Sequence, residues 1–507
     1  MTLNFLYCID YPGEKNKKEN IERVFGWILC SRPIISIKIL NKHSNDLTLK
    51  FNIPRPDVAK VFKDFSENEN CGFEITAGKT LLSLKEILKL EVKIQIAKDI
   101  SKKISVAIDL NLNTIQDFEV YSNKLVTDWK WKRTEKKYFN TLKKRPWITI
   151  RTDITNKCNL RCIMCHCKEK EIYSRPAKYV TAEELKQQLQ DIAPYVKHIM
   201  LSCGYEPLLS KHFTDIVKMI RENFSHMEIG LVTNGMLLDS KARKAIIENQ
   251  VTNVLLSLDG VTKNTVEKIR VGCDFQKVVG NIMALRDLRK KFNRTFPLMY
   301  MDFVLMNSNV HEAPAFVEFC KELGMNLIDF RHMVGNVYFS EHEEMLSNHK
   351  EKFNYYRKLI LAESKKFNIN IRIPDAYNVS GEYFPENVPD VDLSDVKSII
   401  PDNQIIDVNE VSEVYYHNGD DSDFGFLSGA KCLRPFNEIM IREQSKIWPC
   451  SYYGELMGEL NGQNSLHSIF LSDKFSKVRK KKLNSDFDFN CTNCPIKSNL
   501  LPTEIIS

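Results

Sequence analysis

Six apolar runs recur between positions 147 and 333, and each is closed by polar or turn-forming residues. They are Trp147-Ile148-Thr149-Ile150-Arg151, Ile199-Met200-Leu201, Leu231-Val232-Thr233-Asn234-Gly235, Val254-Leu255-Leu256-Ser257-Leu258-Asp259-Gly260, Phe303-Val304-Leu305-Met306 and Leu327-Ile328-Asp329-Phe330-Arg331-His332-Met333. Short apolar runs bounded this way read as β-strands. Between them lie helical patterns, such as 183–192 with Leu185, Leu189 and Ile192 at i, i+4 and i+7. Strands alternating with helices imply an α/β fold with a parallel sheet and right-handed crossovers. In such a sheet the functional groups belong at the carboxyl ends of the strands.

A cysteine group follows the first run at once. Cys158, Cys162 and Cys165 have the spacing Cys-x3-Cys-x2-Cys and lie on the loop after the strand, where ligands can converge. An iron–sulfur cluster takes four thiolates, so three leave one iron open to a small molecule. Zinc is the alternative, with a nearby fourth ligand offered by His166 or Cys167.

The motif and its position resemble the radical S-adenosylmethionine (SAM) superfamily. Ser202-Cys203-Gly204-Tyr205-Glu206-Pro207 resembles that family's Gly-Gly-Glu-Pro strand end, with Tyr205 where the second Gly is expected. The resemblance implies an open six-unit (β/α) partial TIM barrel, a SAM-binding [4Fe-4S] cluster and SAM itself, with Gly204, Glu206, Asn234 and Ser257 as cofactor-binding residues. Asp259 and Gly260 are expected to shape a turn, Asn309 to cap a helix or touch the cofactor, and His332 to be structural or to lie near adenine. Tyr205, Arg270 and His332 are substrate-side candidates by position alone.

A second set, Cys432, Cys450, Cys491 and Cys494, lies near the carboxyl end. Cys432-Leu433-Arg434-Pro435 and Lys446-Ile447-Trp448-Pro449-Cys450 resemble the first half of a SPASM domain. With no cysteine after Cys494, the likeness is to the shortened twitch form, which implies one auxiliary [4Fe-4S] cluster with all four positions filled. Four cysteines in this pattern also suit zinc.

The amino-terminal third alternates with period two at Ile35–Ile39, Leu47–Phe51, Val92–Ile96 and Val106–Ile108, the mark of half-buried antiparallel strands. A β-sandwich-like domain is expected. Gly26-Trp27, Arg55-Pro56-Asp57-Val58 and Gly72-Phe73 resemble a module appended to bacterial glycosyltransferases; glycan binding and a purely structural or docking role both stay open. The expected organisation is an accessory domain at 1–122, a Lys-rich linker at 123–145, the barrel at 146–374, an acidic connection at 375–425 and the auxiliary domain at 426–507.

With 507 residues, 43% of them hydrophobic, the chain can bury a sizeable core. A net charge of +7 is modest for this length and calls for no nucleic-acid partner. No apolar run is long enough for a membrane span, and the 14 cysteines suit a reducing, cytoplasmic compartment. The expected activity is hydrogen abstraction from a C–H bond, leading to oxidation or epimerisation of a carbohydrate-like substrate, with a flavodoxin- or ferredoxin-type electron donor. Modification of a ribosomal peptide is the second reading, and a non-catalytic metal-binding protein is the alternative from another class.

Overall fold

The computed structural model describes residues 5–10, 20–21, 23–30, 34–39, 47–61, 70–77, 82–83, 87–97, 100–109, 131–202, 204–335, 342–381, 383, 385, 391, 423, 427, 432–451, 453–483, 491, 494 and 506. They form two compact units, Met1–Thr134 and Glu135–Ser507.

The second unit is built on one sheet. Its strands are β1 (Ile148–Thr152), β2 (Val196–Met200), β3 (Glu228–Thr233), β4 (Asn253–Ser257), β5 (Leu298–Leu305), β6 (Leu327–His332), β7 (Asn370–Arg372), β8 (Glu438–Arg442), β9 (Lys446–Trp448) and β10 (Gly458–Glu459). The order across the sheet is β7-β6-β5-β4-β3-β2-β1-β8-β9-β10. All pairings from β7 through β8 are parallel, and β8-β9-β10 are antiparallel. Strands β1 to β6 are therefore laid down one beside the next in chain order. Crossovers of a single hand then put every helix on the same face and leave the other as a lumen, which makes this an open partial (β/α) barrel. The helices include α1 (Ala182–Leu189), α2 (Phe213–Asn223), α3 (Ser240–Glu248), α4 (Lys263–Ile269), α5 (Phe275–Lys291), α6 (Ala313–Glu322) and α7 (Lys350–Phe367).

Local chemistry sets the helix starts. Thr181 and Glu184 form a reciprocal capping box at α1, and Asp239, Thr262 and Asp274 cap α3, α4 and α5 through their side-chain oxygens. Each such cap contributes about 1 kcal/mol by satisfying an N–H that has no partner within the helix.

The two faces of the sheet are chemically distinct. Phe303 and Phe330 go to the helical face and meet Phe316 of α6, with ring centroids 4.7 and 6.3 Å away. Strand alternation then sends Asp302, Asp329 and Arg331 into the lumen. Met200, Leu255, Leu298, Tyr300 and Leu327 form an apolar cluster there. One step nearer the carboxyl ends, Ser257, Asp302, Asp329 and Arg372 stand in register across four strands. The lumen thus has an apolar floor beneath a polar row.

Two expectations need correction. The stretch expected as a linker is helical over 135–144, with Tyr138 and Leu142 fully buried one turn apart; its many lysines occupy the outer face. Residues 123–130 lie outside the described residues. The strands at 438–459 are not set apart from the barrel, since β8 pairs with β1 along Thr149↔Glu438 to Thr152↔Ile441. Most of the acidic connection at 375–425 also lies outside the described residues.

In the first unit the expected strands appear within Ile34–Ile39, Leu47–Ile53, Ile87–Ala97 and Ile100–Asp109. They belong to a four-stranded and a three-stranded antiparallel sheet. The three short signatures converge around Gly72. This glycine pairs with Trp27 on one side and Ile53 on the other, and a Cβ there would lie 2.8 Å from the Ile53 carbonyl oxygen and 2.9 Å from Arg55 Cγ. Arg55 is in turn held by a bidentate pair with Asp57, at 2.8 and 2.6 Å.

Candidate active site

The loop after β1 carries Cys158, Cys162, Cys165 and Cys167 and is tied to three neighbours. Glu206 N donates to Lys157 O at 3.0 Å, joining it to the end of β2. Arg161 N and Ile163 N donate to Val271 O and Ile269 O at 2.9 and 3.0 Å, joining it to the end of α4. Ile163 and Met164, between two of the cysteines, pack against Ile269, Met306, Met333 and Met345. The apolar residues inside the cysteine motif are the loop's anchor.

The sulfurs share one field. Cys158 and Cys165 each share a hydrogen bond with Cys167, which draws both thiols below their ordinary range, Cys165 to about 4 with help from His166. Cys167, the shared partner, is pushed up by the same bonds. Burial pushes the Cys162 thiol up to about 12, opposed by the Arg270 guanidinium. The amides of Leu160 and Cys167 lie 3.5 Å from the sulfurs of Cys158 and Cys165. Converging thiols that receive backbone N–H groups suit an iron–sulfur cluster, whose sulfurs are stabilised by such donors. Among the described residues, Cys165, His166 and Cys167 also bring their ligand atoms within 4.8 Å of one another.

Glu206 is buried at the end of β2. It accepts from Thr233 Oγ1 at 2.8 Å, Asn234 N at 2.9 Å and Leu208 N at 3.1 Å. Burial pushes its carboxyl up to about 7 in spite of these bonds. A carboxylate offers about four acceptor sites, so about one remains. Asn234 turns its Nδ2 to Asn159 Oδ1 at 2.9 Å, and the same atom lies 4.0 Å from Cys158 Sγ. Gly204 N donates to Asp153 Oδ1 at 3.0 Å, and a Cβ on Gly204 would come within 3.0 Å of His166 Cε1. The glycine lets the strand end lie against the cysteine loop. Ser257 ends β4 in the polar row.

Other candidates fall elsewhere. Asp259 is buried beside Arg270, Oδ2 to Nε at 2.8 Å, and its Oδ1 accepts from Val304 N at 2.7 Å; both residues organise the turn above Cys162. Asn309 makes no side-chain cap and instead staples the turn after β5, donating to Asp259 O and Val304 O and accepting from Met306 N. His332 packs against Phe353 and Tyr377 with centroids at 4.4 and 5.3 Å, and burial lowers its pKa to about 3. Tyr205 packs edge-on against His166 at 5.4 Å.

Near the carboxyl end, Cys432 lies close enough to Cys491 and Cys494 for their charges to act on it, although burial is the main reason its thiol is pushed up. Lys482, itself buried, donates to Cys491 Sγ at 2.7 Å. Cys450 is buried just after β9.

Sequence inspection missed the charged lumen. Arg331 bridges Asp302 at 3.0 Å and Asp329 at 2.6 Å. The available signal was an Asp inside each of two otherwise apolar strands.

A parallel barrel with a cysteine loop, an acidic strand end and a polar lumen meeting at its carboxyl mouth defines a class, and the chain's comparison with known families agrees. Residues 152–306, the greater part of this barrel, match the radical SAM superfamily. The chain is 31% identical over 185 residues to a probable GTP 3′,8-cyclase of Methanocaldococcus jannaschii, covering 36% of this chain and 58% of that one. It is 28% identical over 179 residues to the GTP 3′,8-cyclase of Limosilactobacillus fermentum, covering 35% and 52%. The chain thus spans little more than half the length of these relatives. SuiB of Streptococcus suis, bound to S-adenosylmethionine, aligns over 77% of this chain and 87% of its own at 12% identity and a TM-score of 0.47. Among the described residues no helix is long and apolar enough to cross a membrane.

Proposed function

We propose that the chain is a radical SAM enzyme that removes a hydrogen atom from a C–H bond of a sugar-bearing substrate, leading to its oxidation or epimerisation. The observation that carries this reading is the meeting of the cysteine loop with Glu206 and Asn234 above a charged lumen. Cys158, Cys162 and Cys165 would hold the SAM-binding [4Fe-4S] cluster, and Cys432, Cys450, Cys491 and Cys494 a second one. When bound, the first cluster and SAM supply a 5′-deoxyadenosyl radical.

The chain's own residues do the rest. Glu206 keeps about one acceptor site for the SAM amino group, while its other bonds fix Thr233 and Asn234. Asn234 orients Cys158 through Asn159, and Ser257 faces the lumen at the level of the polar row. Asp302, Asp329 and Arg331 offer acceptors and a donor to substrate hydroxyls. Burial holds the Asp302 carboxyl up to about 6, with Arg331 opposing, a value suited to taking a hydroxyl proton near neutrality. Cys432, Cys450, Cys491 and Cys494 would hold the second cluster, which when bound would supply a one-electron acceptor for the oxidation. The relatives' name, GTP 3′,8-cyclase, describes action on a nucleotide, which also bears a sugar.

Anaerobic reconstitution and assay for 5′-deoxyadenosine test the class. Changing Cys158, Cys162 and Cys165 together to Ala is expected to abolish SAM cleavage while the chain stays folded; undiminished cleavage would overturn the proposal. Deuterated sugar alcohols, nucleotide sugars and peptides test the substrate by transfer of label to 5′-deoxyadenosine. Label from a peptide and from no carbohydrate would overturn the sugar reading.

A further inference from the structure

The cysteine loop carries one thiol more than the three-cysteine motif needs. Cys167 is buried, and the ligand atoms of Cys165, His166 and Cys167 lie within 4.8 Å of one another. Its own backbone N–H points at Cys165 Sγ, and His166 Nε2 lies 3.7 Å from its sulfur. That sulfur also donates to Gly204 O at 3.4 Å. Cys167 therefore sits beside the residues proposed to hold the cluster while occupying the carbonyl of Gly204, one of the residues expected to bind SAM. Both places cannot be shared: a ligand arriving at Gly204 must displace this thiol.

We propose that Cys167 is a resident fourth ligand of the first cluster, bound to the open iron when SAM is absent and exchanged for SAM when it arrives. This rests on the radical SAM reading of the same loop. The exchange balances without an outside reagent. One iron–sulfur bond to Cys167 breaks, and bonds from the SAM nitrogen and carboxylate form. The SAM amino group is largely an ammonium at neutral pH and must lose a proton to bind, while the departing Cys167 thiolate gains one. No electron moves. Thiolate is preferred to the His166 imidazole because iron–sulfur clusters are commonly held by cysteine. The ligated form shields the iron that an open site exposes to oxidants, so the cluster would survive between turnovers and become reactive only with its cosubstrate present.

The test compares wild type, Cys167→Ala and Cys167→Ser after anaerobic reconstitution. The serine variant keeps a donor for Gly204 O and guards against a merely structural effect. Without SAM, brief treatment with ferricyanide is expected to leave the wild-type cluster intact and to convert both variants to the three-iron form, read by its electron paramagnetic resonance signal. With saturating SAM the difference should vanish. SAM should bind the variants about tenfold more tightly, the factor expected if the ligated form makes up about nine-tenths of the SAM-free protein. Equal conversion and equal SAM affinity in all three proteins would refute the role of Cys167. Zinc without iron in the wild type, with no SAM cleavage, would instead refute the underlying radical SAM reading.

Discussion

Replacing Arg270 by Met should be among the most damaging single changes in the barrel. The guanidinium is buried, and its Nε lies 2.8 Å from Asp259 Oδ2, a carboxylate with no solvent exposure. Removing one member of such a pair strands the other charge in a medium of low polarity and costs about 3–5 kcal/mol. The loss also acquires a pH dependence. Burial already raises the Asp259 carboxyl above 3.8, and Arg270 is its main opponent. Without Arg270 the folded-state pKa climbs further above the unfolded value. Stability in the variant is then fullest below about pH 4 and falls as pH rises towards the new folded value, because the folded state holds a proton that the unfolded state has released. Denaturant unfolding of the two proteins at pH 5 and pH 8 measures this, with the larger deficit expected at pH 8. Adding Asp259→Asn should recover part of the loss, because the stranded charge is gone. A cost below about 1 kcal/mol, or strict additivity in the double variant, would refute the reasoning.

In the first unit, Gly72→Ala pushes a Cβ to 2.8 Å from the Ile53 carbonyl oxygen and should destabilise that unit by about 1–3 kcal/mol, read by thermal unfolding of the full chain; an unchanged midpoint would count against the close approach. Lys482→Met removes a cation that donates to Cys491 at 2.7 Å, so the reduction potential of the second cluster proposed there should fall in spectroelectrochemical titration of the Cys158, Cys162 and Cys165 triple variant. An unchanged potential would disconnect Lys482 from that cluster. His332, lowered to about 3 by burial, should show no titration of its ring protons by NMR between about pH 5 and 8, whereas a midpoint near 6.5 would contradict its burial. Asn234→Ala should weaken SAM binding by freeing Cys158 and Asn159, measured by calorimetry on reconstituted protein, and unchanged affinity would remove Asn234 from the site.

The parallel strands were legible because each is a local object, an apolar run with a polar stop, and the same is true of the cysteine spacing. What escaped depends on register. Ser257, Asp302, Asp329 and Arg372 lie on four separate strands, and only the ladder brings them level. Asn309 has the sequence position of a cap, yet it finds better partners in Asp259 and Val304 across the turn. The helix at 135–144 was obscured by composition, since its lysines mask the spacing of Tyr138 and Leu142. Cys167 is legible as a nearby fourth ligand, but nothing in the spacing says that its thiol reaches the Gly204 carbonyl beyond the end of β2.

The pairing of β1 with β8 bears on how this chain can be dissected. A strand with a partner on each side has no free edge, and here the partner on one side is supplied by residues nearly 300 positions later. An expression fragment ending near 374 would leave the outer ladder of β1 bare, an invitation to association between copies. The same fragment would lose the acceptor for Asp153 N, the carbonyl of Ile441, just where the chain enters the cysteine loop. Engineers seeking a minimal catalytic module should therefore keep 438–459, and shuffling of carboxyl-terminal modules between relatives would have to preserve this strand before anything else.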